Sequence, residues 1–176
     1  MDLHLTHKLA LITGSTKGIG KAIATELARE GANVIINGRN QDEVDQVVAD
    51  IKTQFPNTNP QGAAADIANE ASRTHLFEQY PKVDILINNM GIFQPMEYAD
   101  IDDATWNKFF QINVLAGNAL AKFYLPKMLD QDFGRIIFIA SEEAVMPSGE
   151  MPQYSMTKTM NLSLAKSLSK LTVATH

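Results

Sequence analysis

The sequence predicts an α/β fold in which helices cover both faces of a parallel sheet, the doubly wound arrangement. Short apolar runs alternate five times with longer stretches of helical period. Strands that are apolar on both faces are typical of a parallel sheet buried between two layers of helices. The length of 176 residues fits one domain. Neither a repeat nor a linker divides the sequence, so we expect a single domain over residues 1–176.

The first two strand–helix units are predicted from apolar runs followed by helical periodicity. Leu9 to Ile12 is a short apolar run that predicts a buried strand. Apolar residues recur at helical spacing from Gly18 to Glu30, and Gly31 occupies the position of a helix C-cap. Val34 to Asn37 predicts the second buried strand, and Gln41 to Gln54 the helix that follows it.

The third and fourth units follow a loop rich in proline and asparagine at residues 55–60. Gly62 to Ala65 predicts a weak strand and Asn69 to Gln79 a helix. Val83 to Ile87 predicts the fourth strand. The apolar stripe from Asp102 to Asp130 then predicts one long helix, with Asp102 or the next residue as its N-cap.

The fifth unit completes the pattern. Pro126 lies inside the long helical stretch, so we expect it to kink or end that helix. Arg135 to Ala140 predicts the fifth strand, and the turn-rich stretch Ser148 to Pro152 leads into a last helix over Gln153 to Leu171. Parallel strands joined through helices need right-handed crossovers.

Composition excludes several classes of function. The net charge is −5 and no basic run exceeds two residues, so neither a nucleic acid nor an anionic membrane is an expected partner. There is no cysteine, which excludes disulfides and thiolate zinc sites, and no two of the four histidines have the i, i+4 spacing of a helical metal pair, so no metal site is expected. No apolar run approaches the ~18 to 20 residues of a membrane span. The polar stretch Met1 to Lys8 does not look like a signal peptide, and a cytoplasmic location is expected.

A glycine-rich turn joins the first strand to the first helix. Gly14 permits a tight turn, Gly18 allows the backbone to approach a pyrophosphate, and Gly20 allows close packing of helix on sheet. The helix N-terminus offers N–H groups and a partial positive charge to the anion. The spacing is G-x-x-x-G-x-G rather than the common G-x-G-x-x-G, but the strand–turn–helix context of a dinucleotide site is present.

Tyr154 and Lys158 stand four residues apart near the beginning of the last predicted helix, and therefore on one face. An ammonium group beside a phenol stabilises the tyrosinate, which suits general acid–base chemistry. Ser141 follows the fifth strand, thirteen residues before Tyr154. The carboxyl edge of the sheet, where Ser141 lies, is where open α/β folds bind ligands.

Two asparagine-containing features join this set. The fourth strand ends in Asn88-Asn89-Met90-Gly91 at the same edge of the sheet. Asn113 lies in an otherwise apolar stretch of the long helix, where an amide is costly unless it is hydrogen-bonded.

With these motifs in this order, the whole chain resembles the short-chain dehydrogenase/reductase family. The glycines match its glycine pattern, residues 88–91 match its Asn-Asn-Ala-Gly signature, and Asn113, Ser141, Tyr154 and Lys158 match its catalytic tetrad. The resemblance implies a Rossmann-type sheet with the strand order 3-2-1-4-5. Met90 departs from the usual alanine, so its bulkier side chain is expected to point away from the cofactor or to alter the floor of the site.

The resemblance also implies a role for each member of the tetrad. Tyr154 is expected to be the acid that protonates a carbonyl oxygen during reduction, and the base in the reverse direction. Lys158 is expected to stabilise the tyrosinate and to hold the ribose of the nicotinamide. Ser141 is expected to hydrogen-bond the carbonyl oxygen, and Asn113 to keep a water in a proton relay.

The residues that follow the second strand predict the cofactor. Arg39 follows it where enzymes that use NAD carry an acidic residue, and the first carboxylate after the strand is Asp42. Arg39 and Lys17 would together suit a 2′-phosphate, so NADP is the expected cofactor, with NAD possible. By resemblance, Asp66 meets the adenine and Asn88 lies near the adenosine ribose. The expected cofactor-binding residues are Gly14, Ser15, Thr16, Lys17, Gly18, Ile19, Gly20, Arg39, Asp66, Asn88, Gly91, Tyr154 and Lys158.

The expected function is NADPH-dependent reduction of a carbonyl, or the reverse oxidation of an alcohol, on a small-molecule substrate. A cofactor-binding or interaction module without catalysis is the first alternative. A lyase or epimerase of the extended branch is disfavoured by the glycine spacing and by the position of Asn113. Apolar residues on the helices over 102–130 and 153–171 predict a homodimer or homotetramer, as these helices pair in the family. They include Phe109, Leu120, Phe123, Leu164 and Leu168.

The C-terminal end carries a further expectation. The family's sixth strand would begin near Thr172, so its closing strands and substrate loop are expected to be missing from this chain. The fifth strand is then expected to form a sheet edge with unpaired backbone groups. A chain that ends at His176 is therefore expected to aggregate and to be a weak catalyst.

Overall fold

A computed structural model describes residues 3–173 and contains one parallel sheet of five strands. The strands are β1 (Leu9–Ile12), β2 (Asn33–Gly38), β3 (Gln61–Ala64), β4 (Ile85–Asn88) and β5 (Arg135–Phe138). Their order is β3-β2-β1-β4-β5, and every neighbouring pair is parallel. The predicted doubly wound α/β class and strand order are both confirmed.

Six helices connect and follow the strands. They are α1 (Gly18–Arg29), α2 (Gln41–Gln54), α3 (Glu70–Gln79), α4 (Asp103–Phe110), α5 (Ala116–Asp130) and α6 (Pro152–Ser169). Short 3₁₀ turns occupy Tyr98–Asp100 and Glu142–Ala144. The predicted bounds agree with these to within two residues, apart from the long helix.

Side-chain caps explain where three of the helices begin. Asn40, Asn69 and Asp102 precede α2, α3 and α4, and each accepts a hydrogen bond from the backbone N–H three residues further on. Each cap satisfies an N–H group that has no partner within its own helix. The prediction that Asp102 is a cap is confirmed.

The predicted long helix is three elements rather than one. A π-helical segment over Gln111–Leu115 separates α4 from α5. Pro126 lies inside α5, which continues to Asp130, so of the two expected effects the end of the helix is wrong, and a kink stays a prediction. Proline removes one backbone hydrogen bond. The last turn is held by tertiary packing, since Met128 is buried against the core.

The core lies on both faces of the sheet because alternate strand residues point in opposite directions. On one face, Leu11 of β1 belongs to a cluster with residues of α3 and α5, among them Leu120 and Tyr124. On the other face, Ala10 and Ile12 belong to a cluster that α1 and α2 complete. The sheet is thus covered by two layers of helices, and its carboxyl edge is left for a site.

The fifth strand forms one edge of the sheet, as predicted. Ile137 on β5 is 46% exposed. A groove of about 530 Å³ runs beside this strand between α5 and α6, lined by apolar residues such as Met128, Ile136 and Leu168. None of the predicted site residues lies in it. The family's sixth strand would begin near Thr172, where the described residues form a turn, and residues 174–176 lie outside the described part of the chain.

Within residues 3–173, no helix has both the length and the apolar character needed to cross a membrane. Over the same residues, no three or more histidine, aspartate or glutamate side chains gather as metal ligands would.

Candidate active site

The carboxyl ends of β1, β4 and β5 lie side by side, since these strands are parallel neighbours. The glycine turn follows β1, residues 89–92 follow β4, and Ser141 lies just beyond β5. Short connections after three adjacent strands therefore place these motifs along one edge of the sheet.

The glycine turn has the backbone geometry that an anion site needs. Gly14 and Gly18 have φ angles of +61° and +55°, a region that favours glycine. A Cβ atom on Gly20 would lie 2.4 Å from the carbonyl oxygen of Gly14, so only glycine fits there. No side chain caps α1, and its first turn holds no acidic residue. Its N-terminal N–H groups and dipole are thus available to an anion.

Asn89 and Thr13 hold the glycine turn in place. The Asn89 Nδ2 donates to the carbonyls of Thr13 at 2.9 Å and Gly14 at 3.0 Å. The Thr13 Oγ1 accepts from the backbone N–H groups of Asn89 and Met90, both at 2.9 Å. Sequence reasoning assigned no role to Asn89, although it stands in the matched motif.

A cleft of about 400 Å³ extends from the glycine turn across the ends of β2 and β3. Six predicted cofactor-binding residues line it, namely Gly14, Thr16, Lys17, Arg39, Asp66 and Gly91. Met90, expected at the floor of the cofactor site, also lines it, and sequence reasoning missed nine further lining residues: Asn37, Gly38, Asn40, Glu43, Ala65, Ala68, Asn89, Ile92 and Ile112. The two asparagines at the end of β2, Asn37 and Asn40, were the signal for their own place in the cleft, because that strand ends at the ligand-binding edge.

Seven predicted cofactor-binding residues do not line this cleft, namely Ser15, Gly18, Ile19, Gly20, Asn88, Tyr154 and Lys158. The Ser15 hydroxyl is fully buried, donates to the carbonyl of Ile12 at 2.7 Å and accepts from the N–H of Asn37 at 2.9 Å. Asn88 is 8% exposed, and its amide has no hydrogen-bond partner within the described residues. The Ser15 side chain therefore stabilises the glycine turn from its buried side, and the Asn88 side chain faces the protein interior. Ile19 is exposed at the beginning of α1, whereas Gly20 is buried.

Asn113 lies in the π-helical segment and joins two parts of the site. Its Oδ1 accepts from the N–H of Ile92 at 2.8 Å, and its Nδ2 donates to the Ile92 carbonyl at 2.9 Å and to Thr157 Oγ1 at 3.0 Å. The Asn113 carbonyl accepts from Asn161 Nδ2 at 2.9 Å. These bonds tie the connection after β4 to α6. A water relay through Asn113 stays a prediction.

Lys158 is 5% exposed, and its Nζ donates to the carbonyl of Ile139 at 2.7 Å. Burial lowers the pKa of its ammonium below the ordinary value. Its Nζ lies 5.6 Å from the ring centre of Tyr154. A Cβ atom on Gly91 would lie 3.8 Å from this Nζ and 3.4 Å from Asn113 Oδ1. The glycine therefore lets the backbone after β4 approach both side chains.

Ser141 and Tyr154 are both partly buried. The Ser141 Oγ accepts from the backbone N–H of Glu143 at 3.3 Å, which leaves its hydroxyl proton to donate elsewhere. The ring of Tyr154 is half-buried and has the exposed ring of Phe93 beside it, with 6.1 Å between the ring centres. A phenol and a hydroxyl donor that reach one ligand oxygen can act on it together.

Comparison with known proteins places this geometry in a family. The family model for the short chain dehydrogenase matches residues 8–175. The oxidoreductases YvaG and YvrD of Bacillus subtilis are 52% and 42% identical over the whole chain, which spans 67% of the length of each. L-sorbose reductase from Gluconobacter frateurii, complexed with NADPH and L-sorbose, superposes with a TM-score of 0.93 at 30% identity, covering 98% of this chain and 67% of that one.

The match extends over nearly all of the chain, and the parallel sheet, the glycine turn and the connections beyond β4 and β5 agree with it. The chain therefore belongs to the short-chain dehydrogenase/reductase family of oxidoreductases.

Proposed function

We propose that this protein is an NADPH-dependent reductase of a small carbonyl compound. One observation carries the proposal. The cleft is lined by two cationic side chains, Lys17 and Arg39, and also by Gly91, which lies close to Lys158. The relationship to L-sorbose reductase, whose structure holds NADPH, supports the same cofactor.

The residues of this chain fit a dinucleotide. The uncapped N-terminus of α1 and the positive φ angles of Gly14 and Gly18 suit a pyrophosphate. Lys17 and Arg39 would hold the 2′-phosphate, Arg39 through its planar fork of donors. Asp66 lines the part of the cleft where the adenine would lie. When bound, the nicotinamide supplies the hydride.

The tetrad would handle the proton and the carbonyl oxygen. Ser141 and Tyr154 would donate hydrogen bonds to that oxygen, where negative charge develops during reduction. Tyr154 would then release its proton to the oxygen as the general acid. Lys158 would stabilise the resulting tyrosinate through its positive charge, and Asn113 would hold the backbone of Ile92 against α6.

Replacement of Tyr154 by phenylalanine tests this chemistry. We expect Tyr154→Phe to lower kcat at least ~100-fold, the scale of general acid catalysis, because phenylalanine has no proton to give. NADPH binding should survive. The measurement is NADPH oxidation against a panel of small ketones that includes L-sorbose, with cofactor binding followed by calorimetry.

Tyr98→Phe serves as the matched control, because Tyr98 is 72% exposed. Turnover by Tyr154→Phe equal to that of the control would remove Tyr154 from the mechanism. NADPH binding by the unmodified protein without turnover of any ketone would favour a binding module.

We also infer a homodimer or homotetramer formed through α4, α5 and α6. Phe109 and Leu120 are buried in the chain's own core, so they are not available to a partner. Leu115 in the π-helical segment and Met156 and Leu162 on α6 remain exposed, at 37%, 42% and 39%. These apolar side chains suit a symmetric pairing of helices.

A further inference from the structure

The loop that follows β5 carries an acidic residue to which no catalytic or cofactor role has been given. Glu143 lies in the 3₁₀ turn Glu142–Ala144, between Ser141 and α6. It is half-buried, whereas its neighbours Glu142 and Glu150 are exposed. Its position raises the question of what its carboxylate binds.

One oxygen of the Glu143 carboxylate gathers three donors. Its Oε2 accepts from the backbone N–H of Ser148 at 3.0 Å and from the Ser148 hydroxyl at 3.2 Å. It also accepts a short hydrogen bond from the hydroxyl of Ser155. Hydrogen bonds to an ionised acceptor are stronger than those between neutral groups. The hydrogen bond from Ser155 is the main reason that the pKa of the Glu143 carboxyl is lowered.

These hydrogen bonds fix the position of the loop relative to α6, next to the proposed catalytic residues. Ser155 directly follows Tyr154, and Thr159 directly follows Lys158. Thr159 Oγ1 lies 2.9 Å from the carbonyl of Ala144, the next residue of the same turn. Glu143 and Ala144 thus contact α6 at two positions one helical turn apart.

The beginning of the loop is bound by Lys158, one of the proposed catalytic residues. Lys158 Nζ donates to the carbonyl of Ile139, two residues before Ser141. The backbone N–H of Glu143 donates to the Ser141 hydroxyl. A single residue therefore contacts Ser141 through its backbone and the residue after Tyr154 through its side chain.

We propose that Glu143 is a positioning residue that sets the placement of Ser141 relative to Tyr154. The inference rests on the proposed function, in which both hydroxyl groups bind one carbonyl oxygen. Two donors on separate elements can meet one oxygen only if the elements keep a fixed spacing, and the Glu143 carboxylate provides the link.

The test compares Glu143→Ala, Glu143→Gln and Glu142→Ala in the full-length protein. Glu143→Ala should lower kcat for ketone reduction at least about 10-fold, since misplacement by about 1 Å can cost 100-fold. Its KM for NADPH should change less than about twofold, because the residues hydrogen-bonded to Glu143 do not line the cofactor cleft. Glu143→Gln should recover most of kcat, since its amide oxygen can accept the same donors. Glu142→Ala removes an exposed carboxylate from the same turn and should behave like the unmodified protein.

Hydrogen exchange supplies a readout that does not depend on turnover. The amide of Ser148 should exchange faster in Glu143→Ala than in Glu142→Ala, because it loses its acceptor. If Glu143→Ala does not fold, Ser155→Ala removes the donor on α6 instead and should also lower kcat.

The outcomes separate the two proposals. An unmodified protein that reduces no ketone refutes the proposed function, and the exchange measurement still decides whether Glu143 holds the loop. An active protein in which Glu143→Ala retains the kcat and the Ser148 exchange of Glu142→Ala overturns the positioning role. A loss of kcat that Glu143→Gln does not restore also overturns it.

Discussion

Arg39 and Lys17 are the individual side chains that bear on cofactor choice, and both line the end of the cleft beside β2. A 2′-phosphate there would receive charge-assisted hydrogen bonds, each worth about 1.5–3 kcal/mol. Arg39→Asp should therefore weaken NADPH binding by at least about tenfold and strengthen NADH binding, because a carboxylate accepts from a ribose 2′-hydroxyl. Dissociation constants for both cofactors measure the effect.

Glu43 provides the matched control for this substitution, because it lines the same end of the cleft and is already acidic. Glu43→Gln should leave the preference for NADPH in place or increase it. Equal affinities of the unmodified protein for NADPH and NADH would contradict the role given to Arg39.

The direction in which a side chain points could be predicted from the sequence where spacing alone determines it. Tyr154 and Lys158 share a helix face because they are four residues apart, and the structure places Lys158 Nζ near the tyrosine ring. The inward direction of Ser15 could not be predicted, because it depends on a hydrogen bond with Asn37 on the neighbouring strand. Glu143 was missed for the same reason, since its partners are brought together only by the fold.

Among the helices and turns, the glycine turn before α1 allows a sharp test. A Cβ atom on Gly20 would meet the Gly14 carbonyl oxygen at 2.4 Å and the Ser15 Cα at 2.9 Å. Both are main-chain atoms that cannot rotate away, so Gly20→Ala must move the turn. We expect it to cost about 1–3 kcal/mol of unfolding free energy, as overpacking typically does, and to weaken NADPH binding.

Gly149→Ala is the control, because no atom lies within 4 Å of the Cβ position there. This variant should unfold at the same denaturant concentration as the unmodified protein or slightly above it. If Gly20→Ala matched it in both stability and NADPH affinity, close packing at the turn would not matter.

The strands and most helices could be predicted because apolar periodicity and capping residues act locally. The break between α4 and α5 could not. Apolar residues continue through Gln111–Leu115. The backbone N–H bonds to the carbonyl four residues back in an α-helix and five residues back in a π-helix, and the pattern of apolar residues does not distinguish the two. The effect of Pro126 was overestimated because buried contacts beyond it hold the last turn of α5.

The molecule as a whole exposes apolar side chains on the helices proposed to pair. Leu162 on α6 is 39% exposed, and a glutamate at this position would place a charge in a buried interface. Burying a leucine side chain fully contributes about 1.5–3 kcal/mol, so Leu162→Glu should raise the dissociation constant of the assembly at least about tenfold. Light scattering over a range of protein concentrations measures this shift.

Ser163→Glu tests whether charge alone causes the effect, since Ser163 is the exposed neighbour on the next position of the helix. It should dissociate the assembly less than Leu162→Glu does. An unmodified protein that is monomeric at micromolar concentration would refute assembly through these helices.

The π-helical segment at Gln111–Leu115 has a consequence for how the chain tolerates insertions and deletions. A π turn holds one residue more than an α turn, so removing one residue there would allow α4 and α5 to join as a continuous α-helix. The side chains inside the segment would change direction, because an α turn spaces successive residues by about 100° and the wider π turn spaces them by less, whereas α4 and α5 would keep nearly the same relative rotation. Asn113 would then turn away from Ile92 and Thr157. Deletion of one residue in this segment is therefore expected to lower activity more than stability. The protein should still fold, but the connection after β4 should be displaced.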